Sequence, residues 1–118
     1  KKRVRDTIGI DNSINYYGMI EQTGSIYLEC KYGFFHTSIF SDILIRKPDY
    51  SLSIQKEIGI VQTISLLPTS YPGHNLISDD LGEIIAEDKC KCGRLGKTFL
   101  IHGRIRKTEL RGCSDTIN

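Results

Sequence analysis

The chain has 118 residues, the size of one domain. It carries 16 Lys and Arg against 14 Asp and Glu, and a net charge of +2 excludes the strong basic footprint of a nucleic-acid or anionic-membrane binder. Hydrophobic residues make up 39%, enough for a folded core, yet no apolar run approaches the ~18 residues that suggest a membrane span.

In chain order, Val4 to Ile8 is predicted to close a short helix. Lys1-Lys2-Arg3 has no apolar stretch behind it, so it is not a secretion signal. The missing initiator Met and an ending without a recognisable stop lead us to expect a piece of a longer polypeptide. Ile14 to Tyr17 predicts a short strand ending at Gly18, and Ser25 to Cys30 alternates apolar and polar residues as a second strand. Lys31-Tyr32-Gly33 is a turn, and Asp42 to Arg46 is a strand stopped by Pro48-Asp49. Gly59 to Leu67 is β-branched enough for a buried strand ended by Pro68. A loop at Tyr71 to His74, a strand at Leu81 to Ala86, a Gly-containing loop at Cys90 to Gly96 and a strand at Thr98 to His102 complete the pattern. Recurrent strands without a sustained helical period predict a mainly β (α+β) domain, antiparallel and closing as a distorted barrel. Charge rises abruptly after Gly103, where Arg104, Arg106, Lys107, Glu109 and Arg111 fall close together.

The four cysteines are Cys30, Cys90, Cys92 and Cys113. An even number permits disulfides in a secreted protein, but nothing else suggests secretion. In a reducing cytoplasm the alternatives are metal ligation or reactivity. Cys30, His36, Cys90 and Cys92 form the set Cys-x5-His … Cys-x-Cys. Thiolates and imidazole favour Zn²⁺, and four of them close a tetrahedral structural site with no open position for catalysis. The blander alternative makes Cys30 a small core residue and His36 an ordinary strand-end histidine. Cys113 stands apart, after Arg104, Arg106, Lys107 and Arg111, and nearby cations raise the thiolate fraction of a cysteine.

Three blocks carry a resemblance: Tyr17-Gly18-Met19-Ile20-Glu21, Asp79-Asp80-Leu81-Gly82, and Gly103-Arg104 followed by Arg111-Gly112. In this order they resemble Tyr-Gly-x-Thr-Glu, Thr-Gly-Asp-Leu-Gly and the hinge motif of the adenylate-forming superfamily of acyl-CoA synthetases, luciferases and peptide-synthetase adenylation domains. Cys90-Lys91-Cys92-Gly93-Arg94 is similar to the phenylacetate-CoA ligase branch, some members of which hold zinc with such a set. The ending Lys107 to Asp115 is similar to the acyl-protein synthetases of bacterial luminescence systems. Ile20 stands where the superfamily has Thr, Asp79 where it has Gly, and Gly103 to Gly112 is one residue shorter than the usual spacing.

The resemblance implies an ATP-dependent ligase that forms acyl-AMP from a fatty acid and passes the acyl group to a protein cysteine. Glu21 would hold Mg²⁺, although it also reads as a solvated loop acid. Tyr17, Gly18, Asp80 and Arg104 would face the nucleotide. Asp80 would accept from the ribose hydroxyls, although Ser78-Asp79-Asp80 also reads as a surface turn. Lys107 would be the pivot and Cys113 the acyl acceptor, the alternative for Cys113 being an inert cysteine in a fraying tail. Residues 1–103 would form the β-rich distal subdomain of the adenylation domain, and 104–118 the hinge and the start of the C-terminal segment. An acyl-acceptor or reductase protein is the implied partner. No Ser/Thr/Gly-rich phosphate loop precedes Tyr17, so these residues are not expected to adenylate alone. The rivals are a phenylacetate-type acyl-CoA ligase and a non-catalytic, zinc-stabilised β interaction module.

Overall fold

The computed structural model describes residues 1–105. Lys2–Ile8 forms the helix α1, which buries none of its residues and ends where the Gly9 N–H bonds to the Arg5 carbonyl. The rest is strand and loop: β1 (Tyr16–Tyr17), β2 (Tyr27–Leu28), β3 (Phe35–His36), β4 (Ser41–Arg46), β5 (Gly59–Ser65), β6 (Asn75–Glu87) and β7 (Lys97–Arg104). A single 3-10 turn, Ile20–Gln22, follows β1. None of the described helices is long and apolar enough to cross a membrane.

β1 and β2 pair antiparallel as a ribbon. The other strands form one antiparallel sheet in the order β3-β7-β6-β5-β4. In β4 and β5 the odd-numbered side chains Ile43, Ile45, Val61, Thr63 and Ser65 are buried, as the period of two requires when one face meets a core. The core joins Tyr27, Ile43, Ile45, Val61 and Phe99, with Tyr17, Phe35, Ile84 and Ile101 packed against it. Phe99 is its aromatic centre, edge-on to Tyr27 at 5.4 Å and tilted against Phe35 at 5.6 Å, arrangements that aromatic quadrupoles favour.

The sheet is open, which corrects the expected barrel. β3 and β4 follow each other in sequence yet occupy opposite edges. The chain between them crosses the end of the sheet, with the Thr37 N–H on the Lys97 carbonyl and the Leu66 N–H on the Phe40 carbonyl. β3 is only two residues long, too short to extend a ladder to β4. A side chain ties the seam instead: Lys97 Nζ, on β7, reaches Asp42 Oδ2 at 2.8 Å and the Ile43 carbonyl at 3.0 Å on β4.

β6 is the other difference. It runs for 13 residues and not only from Leu81 to Ala86, so Ser78, Asp79 and Asp80 lie inside a strand and form no turn. Ser78 Oγ donates to the Val61 carbonyl and accepts from the Asp80 N–H, which fixes this polar stretch against β5. Register shifts at Leu81/Gly82 and Ile84/Ala86 bend β6 against β7. Gly82 sits in the first bend, where a Cβ would come 2.7 Å from the Leu100 carbonyl and 2.8 Å from Val61 Cγ2. The strand expected at Gly59 to Leu67 ends at Ser65, and those at 14–17 and 25–30 shrink to the two-residue strands β1 and β2.

Candidate functional site

The Tyr-Gly block, the Asp-Asp-Leu-Gly block and the Gly-Arg block meet at one carboxylate. Asp80 on β6 is directly opposite Arg104 on β7 in the strand register. The Tyr17 hydroxyl, arriving from β1, donates to Asp80 Oδ2 at 2.7 Å, and Arg104 Nε lies 3.6 Å from Asp80 Oδ1. Tyr17 is held there because its ring packs among Tyr27, Phe35 and Phe99 at 6.0–6.3 Å. Burial, reinforced by the bond to Asp80, pushes the Tyr17 phenol well above its ordinary pKa, so it stays a donor. A carboxylate has about four lone-pair sites. Tyr17 occupies one on Oδ2, and Arg104 faces Oδ1.

Gly18 lets the chain leave β1 close to the next segment, since a Cβ there would lie 3.3 Å from the Ser25 carbonyl oxygen. The 3-10 turn that follows exposes Glu21 and buries Gln22. Gln22 Nε2 donates to the Gly73 carbonyl at 2.9 Å and anchors the turn on the loop between β5 and β6. Glu21 forms no ion pair with the residues around Asp80 among those described. Lys107 and Cys113 lie outside the described residues.

The Cys/His set also comes together. The ligand atoms of Cys30, His36, Cys90 and Cys92 all lie within 4.8 Å of one another. Cys30 follows β2, His36 is on β3, and Cys90 and Cys92 sit on the loop between β6 and β7. Bonds of ~2.3 Å to sulfur and ~2.05 Å to nitrogen around a tetrahedral Zn²⁺ give sulfur–sulfur edges of about 3.8 Å and sulfur–nitrogen edges of about 3.5 Å. The Cys30–Cys90 sulfurs are 3.9 Å apart, and Cys92 Sγ is 3.4 Å from His36 Nε2. The three cysteines are free thiols, and 3.9 Å is far beyond the ~2.05 Å of a disulfide. Burial, with the charge of Arg94 nearby, lowers the His36 pKa and keeps its imidazole neutral, the form that ligates metal. The Arg94 N–H bond to Cys92 does most to bring that thiol down to about 7. A closed set of three sulfurs and one nitrogen suits a structural zinc and leaves no position for substrate.

A family model settles what this arrangement belongs to: the one described as acyl-protein synthetase, LuxE, matches residues 1–118. The chain belongs to the acyl-protein synthetase family. No curated protein and no solved structure matches it. Within this acyl-protein synthetase chain, sequence reasoning missed two residues that organise the site. Gln22 anchors the Glu21 turn and Lys97 ties the sheet's seam. Each is an isolated polar residue in a turn or at a strand end, and no local pattern distinguishes it from a solvated side chain. Arg94, singled out only as the last residue of the Cys90 to Arg94 block, also joins the Cys-x-Cys loop to β2 through the Leu28 carbonyl.

Proposed function

We propose that these residues form the nucleotide-facing part of an ATP-dependent acyl-protein synthetase that makes acyl-AMP from a fatty acid and moves the acyl group to a protein cysteine. The convergence of Tyr17, Asp80 and Arg104 on one half-buried carboxylate carries this reading, because it joins three blocks that are distant in sequence. Adjacent ribose hydroxyls are donors, and Asp80 offers them a fixed acceptor whose geometry Tyr17 sets and whose charge Arg104 balances. In adenylation an oxygen of the fatty-acid carboxylate attacks the α-phosphorus, an acyl–phosphate bond forms, and pyrophosphate leaves. Mg²⁺ would supply charge neutralisation for the phosphates, and Glu21, exposed on its turn, is the carboxylate available to hold it. In the second step the Cys113 thiolate takes the acyl group as a thioester and AMP leaves. Lys107 would be the pivot between the two steps, and residues 104–118 the hinge and the start of the C-terminal segment. Zinc in the set Cys30, His36, Cys90 and Cys92 would be structural, joining the β6–β7 loop to β2 and β3.

In the intact enzyme, Asp80→Ala should slow ATP–pyrophosphate exchange by about tenfold to a thousandfold, since a lost charged hydrogen bond is worth roughly 1.5–3 kcal/mol and transition-state effects add to it. An unchanged exchange rate would make Asp80 a strand residue only. Incubation with ATP and a fatty acid should add one acyl mass to Cys113 that neutral hydroxylamine removes. Cys113→Ser should abolish that label while pyrophosphate exchange continues. Label retained in the variant, or acyl transfer to free coenzyme A, would favour the phenylacetate-type ligase.

A further inference from the structure

The two clusters are joined by the β1–β2 ribbon. Each strand of the ribbon has two residues, and a two-stranded ribbon is marginal by itself, so ties from outside must fix its position. On one side Tyr17 grips Asp80. On the other, Cys30 lies two residues after β2, and His36 neighbours Phe35, whose ring packs on Tyr17 at 6.3 Å. Arg94 links the remaining part of the set. Its backbone N–H donates to Cys92 Sγ at 3.5 Å, and its Nη2 donates to the Leu28 carbonyl at 3.3 Å. Leu28 pairs with Tyr16, and Tyr27 with Tyr17.

We propose that the Cys/His cluster, with Arg94 as its positioning residue, clamps the β1–β2 ribbon, so that metal occupancy sets how firmly Tyr17 holds Asp80. This rests on the metal reading above and is independent of which substrate Asp80 serves. Cys30, His36, Cys90 and Cys92 would hold the metal, which would fix the first two to the Cys-x-Cys loop. Arg94 carries that fixation from the Cys-x-Cys loop to Leu28, the last residue of β2. Without metal the loop keeps only the Arg94 bond to Leu28 and thiol contacts, and the hold of Tyr17 on Asp80 loosens although its ring still packs on Phe99.

The test uses the whole chain with zinc bound, the chain stripped by a chelator, and Arg94→Ala with zinc bound. Two signals are read: hydrogen exchange at the Glu29 amide, which bonds to the Asn15 carbonyl beside the ribbon, and the ζ-carbon resonance of Tyr17 in ring-labelled protein, assigned by its loss in Tyr17→Phe. Stripping the metal, or Arg94→Ala with metal retained, should speed Glu29 exchange by about tenfold or more and move the Tyr17 resonance, while amides shared by β4 and β5 keep their protection. Arg94→Lys, which preserves a cation near Leu28, should recover part of both signals. If the chain takes up zinc but both signals ignore its removal and the Arg94 change, the clamp is disproved and the metal reading stands. If the chain takes up no zinc, the metal reading fails and the clamp fails with it. Should the stripped chain unfold entirely, the zinc-loaded Arg94→Ala protein decides the question alone.

Discussion

Tyr17 and Tyr27 show how single residues here are tuned by burial. Both phenols are pushed above their ordinary range, Tyr27 to about 12, with burial the leading cause. An unfolded phenol ionises near pH ~10. Below that pH both states hold the proton and the stabilisation is complete. Between about 10 and 12 the unfolded chain releases protons that the fold retains, so stability must fall as pH rises. Denaturant midpoints measured from pH 8 to 12 should decline above 10, and Tyr27→Phe should flatten part of that decline. A midpoint that stays level in wild type would contradict the burial of these rings. Gly82 provides a second test at this scale. Its absent Cβ makes room for the Leu100 carbonyl and Val61, so Gly82→Ala should cost about 1–3 kcal/mol in chemical denaturation, as overpacking does.

Among the elements, β4, β5 and β7 were legible because short β-branched and apolar runs bounded by Gly and Pro favour strands. The true length of β6 was not. Ser78-Asp79-Asp80 has turn chemistry, and long-range partners (the Val61 carbonyl, the Tyr17 hydroxyl and the β7 ladder) keep it extended. The openness of the sheet was equally hidden, because closure depends on twist accumulated over all the strands and not on any local pattern. The seam makes a clear prediction. Lys97→Met keeps the apolar stem but removes both bonds to β4, and should lower stability by about 1–3 kcal/mol. An unaltered denaturation midpoint would show that the seam holds by packing alone.

At the scale of the whole molecule, the grouping of Cys30, His36, Cys90 and Cys92 was readable from residue type and spacing, and the fold brings their ligand atoms within 4.8 Å of one another. The three sequence blocks could be picked out from their order, whereas the hydrogen bond that unites Tyr17 with Asp80 could not. Elemental analysis of untagged protein should find about one zinc per chain, and Cys92→Ser should lower the melting temperature markedly. A fully folded, metal-free protein would refute the structural role of the set.

Among the described residues, Asp80 and Arg104 sit on the last cross-strand pair of the β6–β7 ladder, and the Ile105 N–H bonds to the Asp79 carbonyl beyond it. A pull on the chain beyond Ile105 therefore acts as on a zip fastener: it loads the rungs one at a time, starting beside Asp80, before the force reaches the core around Phe99. The carboxylate and any mechanical load from the downstream chain are in series. Torque from that side would be felt first as a change in the charge facing Asp80, with the rest of the sheet left intact.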